Sequence, residues 1–263
     1  MARYQLILAY DGTHLKGSQR QAPRSPERSR VLTAQSKDGP RTAQGELETA
    51  LRTIGWTGRS VLIAGRTDSG VHAEGQSVAL DLEWAHSPDE LRAALNANLP
   101  PDLAVRAVRE VRSDFHPRFD AHARRYRYRL FCDPVRDPLR ERFVWRVWPS
   151  ADWEALQTVA PLFLGKHDFA AFGSPPKPQS STVRTVTLAR WTRLEAEWQF
   201  EVQADAFLYR MVRRLVFVQV AVAQGRLTLE SVREAIEKQV PLIAGLASPC
   251  GLSLLEVIYR DQQ

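Results

Sequence analysis

Cysteine is scarce in this chain of 263 residues: Cys132 and Cys250 stand far apart, outside any Cys-x-x-Cys spacing, which excludes a disulfide framework and a thiolate zinc site. Both thiols are expected to be reduced. The six histidines never fall as His-x-x-x-His, and no Gly-rich phosphate loop or dinucleotide fingerprint is present, so the sequence implies no metal and no cofactor. Long apolar runs are missing too. The longest, around Leu215 to Ala223, is interrupted by Gln219 and is too short to span a bilayer. Met1-Ala2-Arg3-Tyr4 leads straight into strand-like sequence without the regions of a signal peptide, which points to a cytoplasmic protein with no membrane partner. What is present is an ordinary globular composition, 44% hydrophobic and 25% charged, enough for one large domain or two lobes.

The charge is modest in sum and uneven in placement. Against 36 Lys and Arg stand 30 Asp and Glu. Arg124, Arg125, Arg127 and Arg129 share one segment, and Arg210, Arg213 and Arg214 share another, both interleaved with Tyr or Phe. A solubilising face is one reading of such runs. Arginine mixed with aromatics suits phosphate contact and base stacking better, so a polyanionic partner is expected. On a helix, residues 210, 213 and 214 would lie within one face.

Patterning predicts a strand over 3–10 ending at Asp11-Gly12, a helix face from Leu47, Ala50, Leu51 and Ile54, and a capped helix starting at Ser87-Pro88-Asp89-Glu90. Strands are expected over 105–111 and 126–131, helices over 152–164 and 228–238, and paired strands over 185–193 and 198–204. In the strand at 126, Tyr126, Tyr128 and Leu130 fall on one face and the arginines on the other. Residues 22–41 carry Pro, Ser, Gly and basic residues with little apolar content, the profile of a mobile basic loop. Elements recur in comparable order on each side of about residue 110, giving an α+β reading with lobes 1–110 and 111–263.

One stretch concentrates possible chemistry: Ala64-Gly65-Arg66-Thr67-Asp68-Ser69-Gly70-Val71-His72, after the apolar run Val61-Leu62-Ile63. A strand feeding a tight loop displays a side chain at a fixed point, and glycines at 65 and 70 permit backbone angles that other residues resist. Asp68 is the displayed carboxylate, and Arg66, if it faces the same space, favours its ionised form. Asp beside Gly also serves in many turns that carry no chemistry, with the Asp capping its own backbone.

This stretch resembles the catalytic Arg-Thr-Asp-Ala/Ser-Gly-Val-His motif of the tRNA pseudouridine synthase A family. Other segments are similar to that family in order: Gly17-Ser18-Gln19-Arg20-Gln21, Asn96-Ala97-Asn98-Leu99-Pro100, Phe115-His116-Pro117-Arg118-Phe119, Ala123-Arg124-Arg125-Tyr126-Arg127-Tyr128, Gly165-Lys166-His167-Asp168-Phe169 and Ala206-Phe207-Leu208-Tyr209-Arg210-Met211-Val212-Arg213. The resemblance implies a pseudouridine synthase fold, two similar lobes with joined antiparallel or mixed sheets flanked by helices around a basic cleft. It also implies a homodimer and a cofactor-free isomerase that converts uridine to pseudouridine in the anticodon stem-loop, at tRNA positions 38 to 40. In that reading Asp68 is the nucleophile, Tyr126 the pocket ring, Arg213 the partner of the aspartate and Arg66 a second candidate partner. Gln19, Arg20, His72, His116, Arg118, Arg124, Arg210 and Arg214 are the expected RNA contacts, with His72 belonging mainly to the motif's turn. The family usually has Trp where this chain has Ser18, and residues 22–41 look like an insertion. Two rivals share these residues: a non-catalytic RNA-binding protein, and an Asp-dependent glycosidase, which would normally need a second carboxylate.

Overall fold

The computed structural model describes residues 1–20, 39–175, 177 and 179–260, so most of the expected basic loop, residues 21–38, lies outside the described residues. Its last residue, Arg41, is firmly held. Arg41 donates from both Nη atoms to the Asp102 carboxylate at 2.6 and 2.7 Å and pairs with Glu46 through Nε. The chain forms two compact units, Met1–Asp120 and Ala121–Gln263. The division falls about ten residues later than the sequence pattern places it. The turn after residue 111 is tied into the first unit, with Arg3 donating to the Phe115 carbonyl at 3.1 Å and Arg112 paired with Asp120.

In the first unit, β1 (Ala2–Tyr10), β2 (Leu62–Ile63), β3 (His72–Leu82) and β4 (Leu103–Val111) form antiparallel ladders in the order β4-β1-β3-β2. Leu6 sits at the centre, opposite Val78 on one side and Val108 on the other. Helices α1 (Ala43–Thr53) and α2 (Pro88–Asn98) bury Leu47, Leu51, Leu91 and Leu95 in the core. Both start on satisfied caps: Thr42 accepts from Gly45 N, and Ser87 and Glu90 form a reciprocal capping box ahead of Pro88. The ladder of β1 slips register near Leu8 on both sides. A bulge there bends the strand end, just before the Asp11-Gly12 turn.

In the second unit, β5 (Ala121–Cys132), β6 (Trp145–Val147), α3 (Trp153–Val159), β7 (Gly165–Asp168), β8 (Val183–Arg193), β9 (Trp198–Ala204), α4 (Met211–Ala223), α5 (Leu229–Lys238) and β10 (Leu252–Tyr259) follow in chain order. The ladders run β10-β5-β9-β8-β7, all antiparallel, with β6 added parallel to the end of β5. Tyr128, Phe163, Phe169, Phe172, Phe200 and Leu215 fill the core. The helix expected over 152–164 ends as an α-helix at Val159 and continues as a 3-10 turn, since Pro161 has no N–H for the α-helical ladder. Gln219, which breaks the apolar run, is fully buried and accepts from the Trp191 indole at 2.7 Å. Among the described residues no helix is long and apolar enough to cross a membrane.

Candidate active site

Asp68 sits on the loop between β2 and β3, half-buried, in a turn where Val71 N donates to the Asp68 carbonyl at 3.2 Å. Gly70, at φ 80°, supplies the left-handed third position such a turn requires. The expectation for Gly65 is corrected: its φ is ordinary, and a Cβ there would meet no atom within 4 Å.

Residues 10–18 clamp this loop. Ser18, buried, accepts from Thr67 N at 2.8 Å and donates its own N–H to the Thr67 carbonyl at 3.2 Å. Tyr10 Oη lies 2.9 Å from Thr67 Oγ1, and Gln76 reaches both Tyr10 Oη and the Gly65 carbonyl. Burial pushes the Tyr10 phenol up, against the opposing hydrogen bond from Thr67, so it stays neutral and a donor. Leu15's carbonyl takes bonds from Gly70 N and Ser69 Oγ. A Cβ on Gly12 would sit 2.0 Å from the Val71 carbonyl, so only glycine permits this approach. These clamps use Thr67, Ser69, Gly70, Val71 and their neighbours, and none uses the Asp68 carboxylate. Ser18 thus does local hydrogen-bonding work at the position where the motif comparison expects a Trp ring.

His72 is 6% exposed, with Nδ1 3.0 Å from Gly12 N and 3.1 Å from Asp11 Oδ1. Both contacts cannot hold in one protonation state. Asp11 Oδ1 already accepts from Thr13 N and Oγ1, so an Nδ1 that accepts the Gly12 amide is the consistent assignment, and the ring holds the loop to the end of β1. Arg66 is exposed and is not among the described arginines of this unit that pair with a carboxylate, namely Arg3, Arg20, Arg41, Arg52, Arg92 and Arg112. Gln19 is half-buried. Arg20 lies 3.1 Å from the buried Glu48 carboxylate, though without aligned hydrogen-bond geometry. His116 accepts from Arg118 N and Phe119 N through Nδ1 and stacks at 4.2 Å on Phe119, which is 76% exposed; the Arg118 guanidinium lies 5.9 Å from that ring.

In the second unit, Tyr126 is 8% exposed on β5 and meets Phe207 edge-on at 5.0 Å. Tyr128 is the more deeply buried of the pair and donates to the Ser248 carbonyl at 2.7 Å. The arginine face of β5 differs from expectation. Arg125 and Arg127 pair with Glu201, and Arg129 makes a two-pronged contact with Glu197. These charges meet carboxylates of the next strand, so they contribute little net positive field. Arg124 donates to the Asp205 carbonyl.

Arg213 lies in the first turn of α4 and donates from Nε to the Ala247 carbonyl at 2.8 Å, while Ala247 N returns a bond to the Arg213 carbonyl. Arg210 is not on that helix. It is the residue before it, at φ 63°, so the helical-face argument holds only for Arg213 and Arg214. Arg214 is half-buried, and desolvation pushes its pKa down from the usual arginine range. Two exposed rings beside arginines, Phe119 and Tyr209, escaped the sequence reading because an isolated aromatic in a motif reads as core.

A rigidly presented carboxylate is suited to nucleophilic attack at a sugar carbon. A family profile described as tRNA pseudouridine synthase matches residues 6–120 and 159–260. Among curated relatives, tRNA pseudouridine synthase A of Methylacidiphilum infernorum is 38% identical over 99% of this chain and 96% of its own length. That of Chloroflexus aurantiacus is 37% identical over 98% and 89%, and that of Leuconostoc citreum 35% over 99% and 98%. With its motifs in order and its whole length matched, this chain belongs to the tRNA pseudouridine synthase family and has the α+β pseudouridine synthase fold.

Proposed function

We propose that this protein is an isomerase that converts uridine to pseudouridine in the anticodon stem-loop of tRNA, at positions 38 to 40, with Asp68 as the nucleophile. The bond from C1′ to N1 breaks, the uracil turns, and C1′ joins C5. The proton lost from C5 is balanced by the one gained at N1, so the reaction needs neither oxidant nor co-substrate. The target base must first leave its stack, at a cost of a few kcal/mol. By resemblance, Tyr126 supplies the ring that receives it and Arg213 the cation that serves the reacting carboxylate, with Arg66 in support. Gln19, Arg20, His116 and Arg118 in the first unit and Arg124, Arg210 and Arg214 in the second serve the phosphates. His72 serves chiefly to hold the turn. The protein acts in the cytoplasm, as a homodimer.

The observation that carries this reading is a half-buried Asp68 on a loop fixed by its neighbours' hydrogen bonds and not by its own carboxylate. Asp68→Ala is expected to lower pseudouridine formation by roughly three orders of magnitude or more, while tRNA Kd stays within about threefold of wild type. Product mapping on tRNA, with a binding titration of the same samples, reads both. A variant that still forms pseudouridine, or a native protein that forms none while binding tRNA, would overturn the reading in favour of a pure RNA-binding protein.

A further inference from the structure

The second unit contains a pocket of about 300 Å³ whose walls include Phe172, Gly173, Ser174, Tyr209, Arg210 and Arg214, and no carboxylate lines it. The contrast with β5 is sharp, since there Glu197 and Glu201 answer the arginines. Its volume falls at the lower end of the ~300–1,000 Å³ range of small-ligand sites. The pocket is built by a close approach. Tyr209 N donates to the Ser174 carbonyl at 2.9 Å, and a Cβ on Gly173 would meet Leu208 Cβ at 2.7 Å and the Tyr209 carbonyl at 2.9 Å.

Two features at the rim call for an explanation beyond folding. Tyr209 is 55% exposed, with the Arg210 guanidinium 4.7 Å from its ring centre. Arg210 itself holds φ 63° and ψ 8°, a left-handed conformation that disfavours a bulky side chain and persists where its surroundings or its use require it. Arg214 is steadied against the opposite wall, its Nη1 3.0 Å from the Gly245 carbonyl. An exposed ring flanked by two oriented guanidiniums is what single-stranded nucleic acid recognition uses, the ring for a base and the cations for phosphate.

We propose that this pocket holds a second nucleotide of the substrate RNA, distinct from the isomerised one, with its base on the Tyr209 ring and its phosphate between Arg210 and Arg214. The inference rests on the tRNA reading above and adds a specific subsite to it. The pocket extends recognition past the reacting uridine, to a flanking nucleotide whose base is unpaired or unstacked on that side.

The test uses the full-length protein and a tRNA substrate. Arg210→Gly removes the strained side chain, so the melting temperature is expected to hold or rise. The tRNA Kd should nevertheless weaken about fivefold or more, and the slope of log K against log salt should become shallower by about 0.7 to 1, the share of one phosphate. Tyr209→Ala should likewise weaken binding about fivefold or more, whereas Tyr209→Phe, which keeps the stacking face, should bind as wild type does. Both losses should appear in Kd more than in the single-turnover rate at saturating tRNA. Arg210→Gly and Tyr209→Ala proteins that bind within about twofold of wild type, with an unaltered salt slope, overturn the subsite and leave the isomerase reading standing. A native protein that forms no pseudouridine sinks the isomerase reading instead, and weakened RNA binding in the variants would then still support the pocket.

Discussion

Replacing Ser18 with alanine removes a single oxygen, yet that oxygen is the acceptor for the buried Thr67 amide one residue before Asp68. A buried donor left without a partner costs about 1–3 kcal/mol. Ser18→Ala is therefore expected to lower the melting temperature by several degrees and to depress the single-turnover rate more than tRNA affinity, because the loop that presents Asp68 loosens. Rapid-quench kinetics beside a binding titration check this. An equal loss in both quantities would mean that Ser18 serves RNA docking and not the loop. The same residue marks the limit of what sequence could reveal. Asp68, Gly70 and His72 lie within five positions and could be recognised together, whereas the clamps on them come from Tyr10, Ser18 and Gln76, brought in by the pairing of β1 with β3. No local spacing encodes those contacts.

At the scale of elements, the Arg41–Asp102 pair joins the residue before the cap of α1 to the residue before β4. The Arg41 guanidinium holds the Asp102 carboxyl below its usual range against a smaller opposing effect of burial, and Arg3 does the same for Asp81. A carboxyl depressed on folding stabilises the fold above its unfolded pKa of about 4, and that contribution disappears as pH falls through the folded value. The melting temperature is expected to be flat through the neutral range and to decline below about pH 4. Asp102→Asn should lower it at neutral pH and flatten the acid limb. An unchanged acid limb would remove this pair from the account.

Elements with local signatures were legible. Thr42, Ser87, Asp152 and Thr228 cap four of the helices, and the alternation of β5 put Tyr126 and Tyr128 on the buried side. The strand β3 was not legible, because almost every residue of it is buried, including Gln76 and Ser77, and no alternation survives. The arginines of β5 were seen, but their neutralisation was not, since Glu197 and Glu201 arrive from β9 and its approach, about seventy residues on.

At the scale of the whole molecule, a formal charge of +6 is spread over a chain in which many arginines are already answered by carboxylates. Affinity for tRNA then depends on those placed against phosphate, each contributing about 0.7 to 0.9 to the salt slope. A binding titration across salt concentrations should give a slope steeper than about −2, and one shallower than about −1 would mean fewer than two phosphates engaged. Pseudouridine mapping at low and high salt should show the yield at limiting tRNA falling along the same line.

Gly12 and Gly65 flank the reactive loop with opposite tolerances, one shut by a carbonyl and the other open on all sides. Position 65 is consequently a ready handle. Gly65→Cys would give a chemically addressable group three residues from Asp68, and the native thiols Cys132 and Cys250 are only partly accessible. A photoreactive label attached there would record, nucleotide by nucleotide, which part of a transcript passes the nucleophile.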